Sequence, residues 1–129
     1  MTTSLEAYLS AFADILTSDE RNLLLNPPYV LDVPLDSLIE PMRRRNQTRY
    51  SRPPRPANSW VLFCKNFNRR LRSQYPEQSY MLAAVTRMAM NDWNNQPIVV
   101  RQYFDLLSRL AMQRHREVYP LLAQTIPSA

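Results

Sequence analysis

Glycine is absent from all 129 residues, which removes the glycine-rich loops that cradle phosphates and the glycine-containing clamps of some RNA-binding modules. With eleven prolines among many Leu, Met, Ala, Arg and Gln, the composition reads as helices punctuated by proline, not as turn-rich β-structure. An all-α chain is expected. Cys64 is the single cysteine, so no internal disulfide can form and nothing calls for an oxidising compartment. His115 is the single histidine. It can join no multi-histidine metal site, and Cys64 is its only thiol partner. No apolar run approaches the roughly 18 to 20 residues that cross a bilayer, and Met1 to Ala11 show no basic region before an apolar stretch. The expectation is a soluble intracellular chain with no membrane partner. No nucleophile, base and carboxylate set is recognisable by spacing, and most carboxylates lie in the first 42 residues. An enzyme is therefore not expected, and neither a cofactor nor a small-molecule substrate is implied.

What the chain does have is an uneven charge. Residues 1–42 set seven acidic residues against Arg21, a net of −6, whereas residues 43–129 set fifteen basic residues against four acidic ones, a net of +11. Lys65 is the only lysine. Arginine's planar fork suits bidentate phosphate and base contacts and resists deprotonation, so the positive part reads as a module for a polyanion such as nucleic acid.

Leu5, Tyr8, Leu9, Phe12, Ile15 and Leu16 recur at three- and four-residue steps and predict a short amphipathic helix over Thr3 to Thr17, with Asp19-Glu20 and then Asn26-Pro27-Pro28 limiting it. Pro27 to Pro41 alternates prolines with apolar residues and reads as a segment that wraps over a surface. Residues 43–56 hold six arginines, three prolines and no acid. They read either as an extended basic arm along a nucleic-acid groove or as a linker that serves nuclear import.

Three helical patterns follow. Trp60, Phe63, Phe67 and Leu71 form the first stripe, ended by Pro76. Leu82, Val85, Met88, Ala89 and Trp93 form the second, broken at Asn94-Asn95-Gln96-Pro97, where asparagine is expected in the left-handed conformation. Val100, Phe104, Leu107, Ala111 and Val118 form the third, up to Pro120. Trp60, Phe63, Trp93 and Phe104 are expected to dominate the stability of so small a core. The expected organisation is an acidic arm over 1–42, a basic Arg/Pro-rich linker over 43–54, a three-helix domain over 55–120 and a tail over 121–129.

The run Arg55-Pro56-Ala57-Asn58-Ser59-Trp60-Val61-Leu62-Phe63-Cys64-Lys65 resembles the opening of an HMG box. The likeness continues in Val85-Thr86-Arg87-Met88 leading to Trp93, in Tyr103-Phe104-Asp105-Leu106-Leu107, and in His115-Arg116-Glu117-Val118-Tyr119-Pro120. It is closest to the fungal MATA mating-type group of boxes. Met90 stands where that family usually has glycine, Ala89 replaces a larger apolar residue, and about two extra residues lie between Pro76 and Val85. The second helix is therefore expected to start or pack differently.

The resemblance implies an L-shaped three-helix box that binds the minor groove of double-stranded, A·T-rich DNA and bends it. It also implies a nuclear, sequence-preferring transcription regulator, with a mating-type or sex-determining role as its narrowest form. By the same likeness Val61, assisted by Trp60, is the wedge between bases and Asn58 the base reader. Thr86 and Arg87 face the groove, and Arg52, Arg55, Arg69, Arg70 and Arg72 contact phosphate or the groove floor. Two simpler readings stand beside these, Val61 closing the back of the core and Asn58 capping the first helix. Arg109 and Arg116 read as solvated surface charges, and His115 and Tyr119 as packing residues. The competing functions are a protein-interaction adaptor with a partner on residues 1–42 and a non-sequence-specific architectural DNA binder. The acidic arm could also fold back on the box and screen it from nonspecific DNA.

Overall fold

The computed structural model describes residues 14–41 and 57–119. Among these residues there are five helices and no strand, as the composition predicts: α1 Ser18–Leu25, α2 Leu35–Ile39, α3 Ser59–Gln74, α4 Leu82–Asn94 and α5 Ile98–Val118. The expected basic arm and C-terminal tail lie outside the described residues, as does most of the expected Thr3 to Thr17 helix. Its last residues, 14–17, form a turn and a cap. A helix instead begins where one was expected to be stopped. The Thr17 hydroxyl accepts from the Glu20 amide and the Glu20 carboxylate accepts from the Thr17 amide. This reciprocal capping box turns the Asp19-Glu20 pair into a start signal. Asn26 caps α1 and the two prolines end it.

Residues 14–41 form a strap over the three-helix unit α3 to α5, and their apolar side chains enter its core. Leu24, Val33, Leu38 and Ile39 are buried in one cluster with Leu62, Phe63, Phe104, Leu107 and Leu110. The Pro27 to Pro41 segment wraps as expected, and it also contains an element of its own, α2, which starts after Pro34 and buries Leu38 and Ile39. So short a helix has few backbone hydrogen bonds of its own, and these two buried side chains do much to hold α2 in place.

Asn66 fastens the strap. It is fully buried in α3, and its side-chain oxygen accepts from the amides of Asp32 at 2.7 Å and Val33 at 2.9 Å. Both strap groups are donors, so the oxygen must face them, and the amide nitrogen finds no partner among the described residues. Tyr29 sits next to this fastening, with its ring 5.7 Å from Phe63 and 5.5 Å edge-on from Phe104. Phe63 is the hub of the aromatic cluster, also meeting Phe104 at 5.3 Å and Trp93 at 4.9 Å.

Of the four aromatics expected to dominate the core, Phe63 and Phe104 are fully buried, while Trp60 and Trp93 are partly buried at its edge. The third stripe holds along α5 for Val100, Phe104, Leu107 and Ala111, but a second one, Tyr103, Leu106 and Leu110, is buried beside it. α5 thus buries about half its circumference, because α3 packs on one flank and α1 and α2 on the other.

The α4 stripe is the least faithful to the pattern. Only Ala89 is fully buried, Met88 is exposed, and Leu82 keeps 82% of its surface. The helix rests on α3 through this small residue, makes no close backbone approach to α5, and reaches it through Trp93, 6.0 Å edge-on from Phe104. Its end also differs from expectation. Asn95 is right-handed (φ −94°, ψ 0°), its amide donates to the carbonyls of Asp92 and Trp93, and Pro97 caps the next helix. No described residue has positive φ. A tightened last turn followed directly by proline replaces the left-handed stop.

Because strap and three-helix unit share one core, Leu38→Ala is expected to cost about 2–5 kcal/mol, in the range of a core truncation such as Phe104→Ala. Urea unfolding followed by tryptophan fluorescence and by circular dichroism should give one coincident transition for each variant. A Leu38→Ala cost under about 1 kcal/mol, or a separate early transition, would show that the strap is an accessory.

Burial pushes the Tyr103 phenol up to about 12. The unfolded phenol ionises near 10 while the folded one keeps its proton, so this contribution to stability is intact below pH 10 and is lost as pH rises toward 12. Tyr103→Phe should remove the latest step in a spectrophotometric phenol titration. Persistence of that step would assign it to another tyrosine.

Candidate nucleic-acid interface

The start of α3 is built by Asn58. Its backbone is extended and its side-chain oxygen accepts from the Val61 amide at 2.9 Å, satisfying one of the helix's open donors. Ser59 donates to the Asp105 carboxylate at 2.5 Å and so ties this turn to α5. Leu62 and Phe63 point into the core with no exposure, which leaves Val61 on the opposite side, 39% exposed. Trp60 is half-buried beside it, 6.4 Å from Trp93. Val61 therefore does not close the back of the core.

Val61, Asn68 and Arg72 follow at steps of seven and four residues, which aligns them on one side of α3, while Lys65 at the edge of that side turns its ammonium to the strap. That side runs from the exposed valine to an open hollow of about 350 Å³ lined by Asn68, Arg72, Tyr75, Gln78, Tyr80 and Val85. The connection between Pro76 and Val85 forms much of its wall, with the Tyr80 hydroxyl donating to Gln78. Sequence reasoning passed over Asn68. Its place one turn before Arg72 on the Val61 side is the signal that marks it.

The basic side chains divide into two groups. Arg69, Arg72 and Arg87 are exposed, and among the described residues none has a hydrogen bond or an ion pair. Arg70, by contrast, is occupied within the molecule. Its guanidinium donates to Asp32 at 2.8 Å, to the Tyr29 hydroxyl at 2.7 Å and to the Val30 carbonyl at 2.5 Å, and it lies 4.7 Å over the Tyr29 ring. Burial works against its charge, but the Asp32 and Tyr29 contacts outweigh burial and raise its pKa. Arg109 is no free surface charge either; it pairs with Glu20. Arg116 is exposed and rests against the Met112 sulfur.

On α4, Arg87 lies by a shallow depression that it shares with Met88, Met90, Asn91 and Asn94. The Thr86 hydroxyl donates to the Leu82 carbonyl one turn back at 2.9 Å, the local bond that threonine commonly makes inside a helix. Arg52 and Arg55 lie outside the described residues. At the far end of α5, His115 is 5% exposed and packs 4.9 Å from the Tyr119 ring.

The arrangement offers an exposed apolar side chain beside an amide that both donates and accepts, with arginines on the same and neighbouring helices that are unpaired among the described residues. No described helix is long and apolar enough to cross a membrane. Removing the Asn58 cap by Asn58→Ala should lower stability by about 1 kcal/mol, whereas Asn58→Ser should stay within a few tenths of wild type. Equal loss in both would mean that the cap bond does not hold the helix start.

Set against known families, residues 53–122 match the model of the HMG (high mobility group) box. No curated protein and no solved structure matches the chain.

Proposed function

The chain belongs to the HMG-box family, and from that premise we propose that it is a sequence-preferring DNA-binding protein that enters the minor groove, bends the duplex and regulates transcription in the nucleus. The observation that carries this reading is the pairing of Asn58 and Val61 at the exposed start of α3. An isopropyl group held in water costs free energy that insertion between two stacked base pairs recovers. Trp60, braced on Trp93, backs the inserted side chain.

Asn58 is one turn away and carries both a donor and an acceptor for the minor-groove edge. In the free protein its oxygen holds the Val61 amide, and its amide nitrogen remains available to a base acceptor. Arg69, Arg72 and Arg87 neutralise phosphates, as do Arg52 and Arg55 of the basic arm, and Thr86 faces the groove from α4. Arg70 stays with the strap. The likeness to mating-type boxes supports the narrower proposal that the genes regulated are those of mating identity.

The test is fluorescence anisotropy of the full chain with an A·T-rich duplex and a scrambled one across a salt series. We expect steeply salt-dependent binding and a preference of tenfold or more, equivalent to about 1.4 kcal/mol. Asn58→Ser should bring that ratio toward one without unfolding the protein. Val61→Ala should reduce the bend read by end-to-end energy transfer more than it reduces affinity. Equal binding to both duplexes would replace the reading with an architectural, sequence-neutral one. No binding to either would overturn it in favour of a protein adaptor acting through residues 1–42.

A further inference from the structure

The strap does more than complete the core. Three of its acidic side chains each hold a guanidinium of the three-helix unit: Glu20 pairs with Arg109, Asp32 with Arg70, and Glu40 with Arg114 through both oxygens at 2.8 and 3.3 Å. The Glu40 hydrogen bonds, followed by those to Glu117, hold the Arg114 guanidinium well above its usual range. Lys65 is turned to the strap as well, donating to the Ser37 carbonyl at 2.9 Å. Burial lowers the pKa of its ammonium, against the field of Glu40. Four cations of α3 and α5 are thus bound by the strap, while among the described residues Arg69, Arg72 and Arg87 are left unpaired and Arg116, at the end of α5, rests only on the Met112 sulfur. The strap's remaining acids, Asp14, Asp19 and Asp36, hold no cation among the described residues.

We propose that Glu20, Asp32 and Glu40 are specificity-determining residues: they neutralise most of the cations on the strap-covered side of the box, so that a polyanion is engaged mainly through the side that carries Asn58 and Val61. A phosphate contact made by a cation releases counterions wherever that cation lies, and it carries no sequence information. A box with cations on all sides would hold any duplex in several orientations, most of them far from the base reader. Pairing Arg70, Arg109 and Arg114 internally removes those orientations, and the amphipathic character of the strap fixes the acids in register with them. The DNA part of this inference rests on the proposed DNA-binding function, but the sequestration of the cations does not.

Truncating the strap would remove core residues, so the test uses amide isosteres in the full chain. The triple variant Glu20→Gln, Asp32→Asn, Glu40→Gln keeps hydrogen-bond acceptors at all three positions, and glutamine still serves a capping box. A control variant, Asp14→Asn, Asp19→Asn, Asp36→Asn, changes net charge equally without touching a pair. The triple variant should elute from immobilised heparin, a polyanion with no base sequence, at higher salt than the control. Its binding to scrambled DNA should tighten tenfold or more at low salt, with a logarithmic salt slope steeper by up to about three, one for each freed guanidinium. Binding to the preferred duplex should tighten less, so that discrimination falls.

Equal heparin shifts for triple and control variants would overturn the proposal, whatever the chain does with DNA. An unchanged salt slope and discrimination in a folded triple variant would overturn it as well. If the triple variant fails to fold, Arg109→Gln with Arg114→Gln decides. These arginines are already engaged, so their loss should leave wild-type heparin elution unchanged, whereas Arg69→Gln with Arg72→Gln should lower it. A comparable fall in both pairs would sink the inference, and failure of wild type to bind any duplex would sink the proposed function while the heparin comparison still judges the sequestration.

Discussion

One buried amide governs how the strap and the three-helix unit meet. Asn66 has no exposed surface, and its oxygen takes both the Asp32 and the Val33 amides. Two backbone donors at successive residues cannot both enter an apolar core unpaired, since each would cost about 1–3 kcal/mol. A single carbonyl placed between them makes the strap's path admissible. Everything downstream follows from that path: Tyr29 reaches the Phe63 and Phe104 rings, Asp32 arrives at Arg70, and Leu38 and Ile39 cover the second flank of α5. A hydrophobic side chain at position 66 would fill the space and leave the strap without a register.

How much of this was legible in the sequence depended on which contacts are local. The three helices of the box were, because their apolar steps, the Asn58 cap and the stops before Pro76 and Pro97 act within a few residues. The helix after Thr17 is legible in principle too, since Thr17-Ser18-Asp19-Glu20 spells a capping box, in which Glu20 starts a helix instead of limiting one. What periodicity alone could not assign was the partner of each face. Tyr103, Leu106 and Leu110 form as regular a stripe as the residues beside them, but a second stripe has meaning only when something far along the chain covers it. Nor does any pattern in Arg69-Arg70-Leu71-Arg72 distinguish the middle arginine, whose fate is decided by Asp32, 38 residues away.

The candidate site divides the same way. Asn58 and Val61 lie within one turn, and the structure places the cap bond and the outward valine where a helix start puts them. A cap and a base reader need not compete, because the oxygen serves the helix while the nitrogen is left over. For α4 the packing turns on one small residue and on the connection that precedes the helix. Ala89 is small enough to let the helix lie directly on α3, and the connection from Pro76 lines the hollow beside Arg72.

The connection from α4 to α5 turns without a single residue of positive φ, and no glycine is available anywhere to provide one. That has a bearing on the unfolded ensemble. A glycine in each connection would multiply the conformations open to the denatured chain, and replacing one by an ordinary residue at a compatible site is worth about 0.4–1 kcal/mol through the denatured state alone. Here Asn95, Gln96 and Pro97 occupy ordinary backbone regions, and the proline ring has its torsion set before folding begins. The direction in which α5 leaves α4 is thus partly written into the disordered chain. Such a domain draws part of its stability from freedom that its unfolded chain never had, and not only from the contacts it makes.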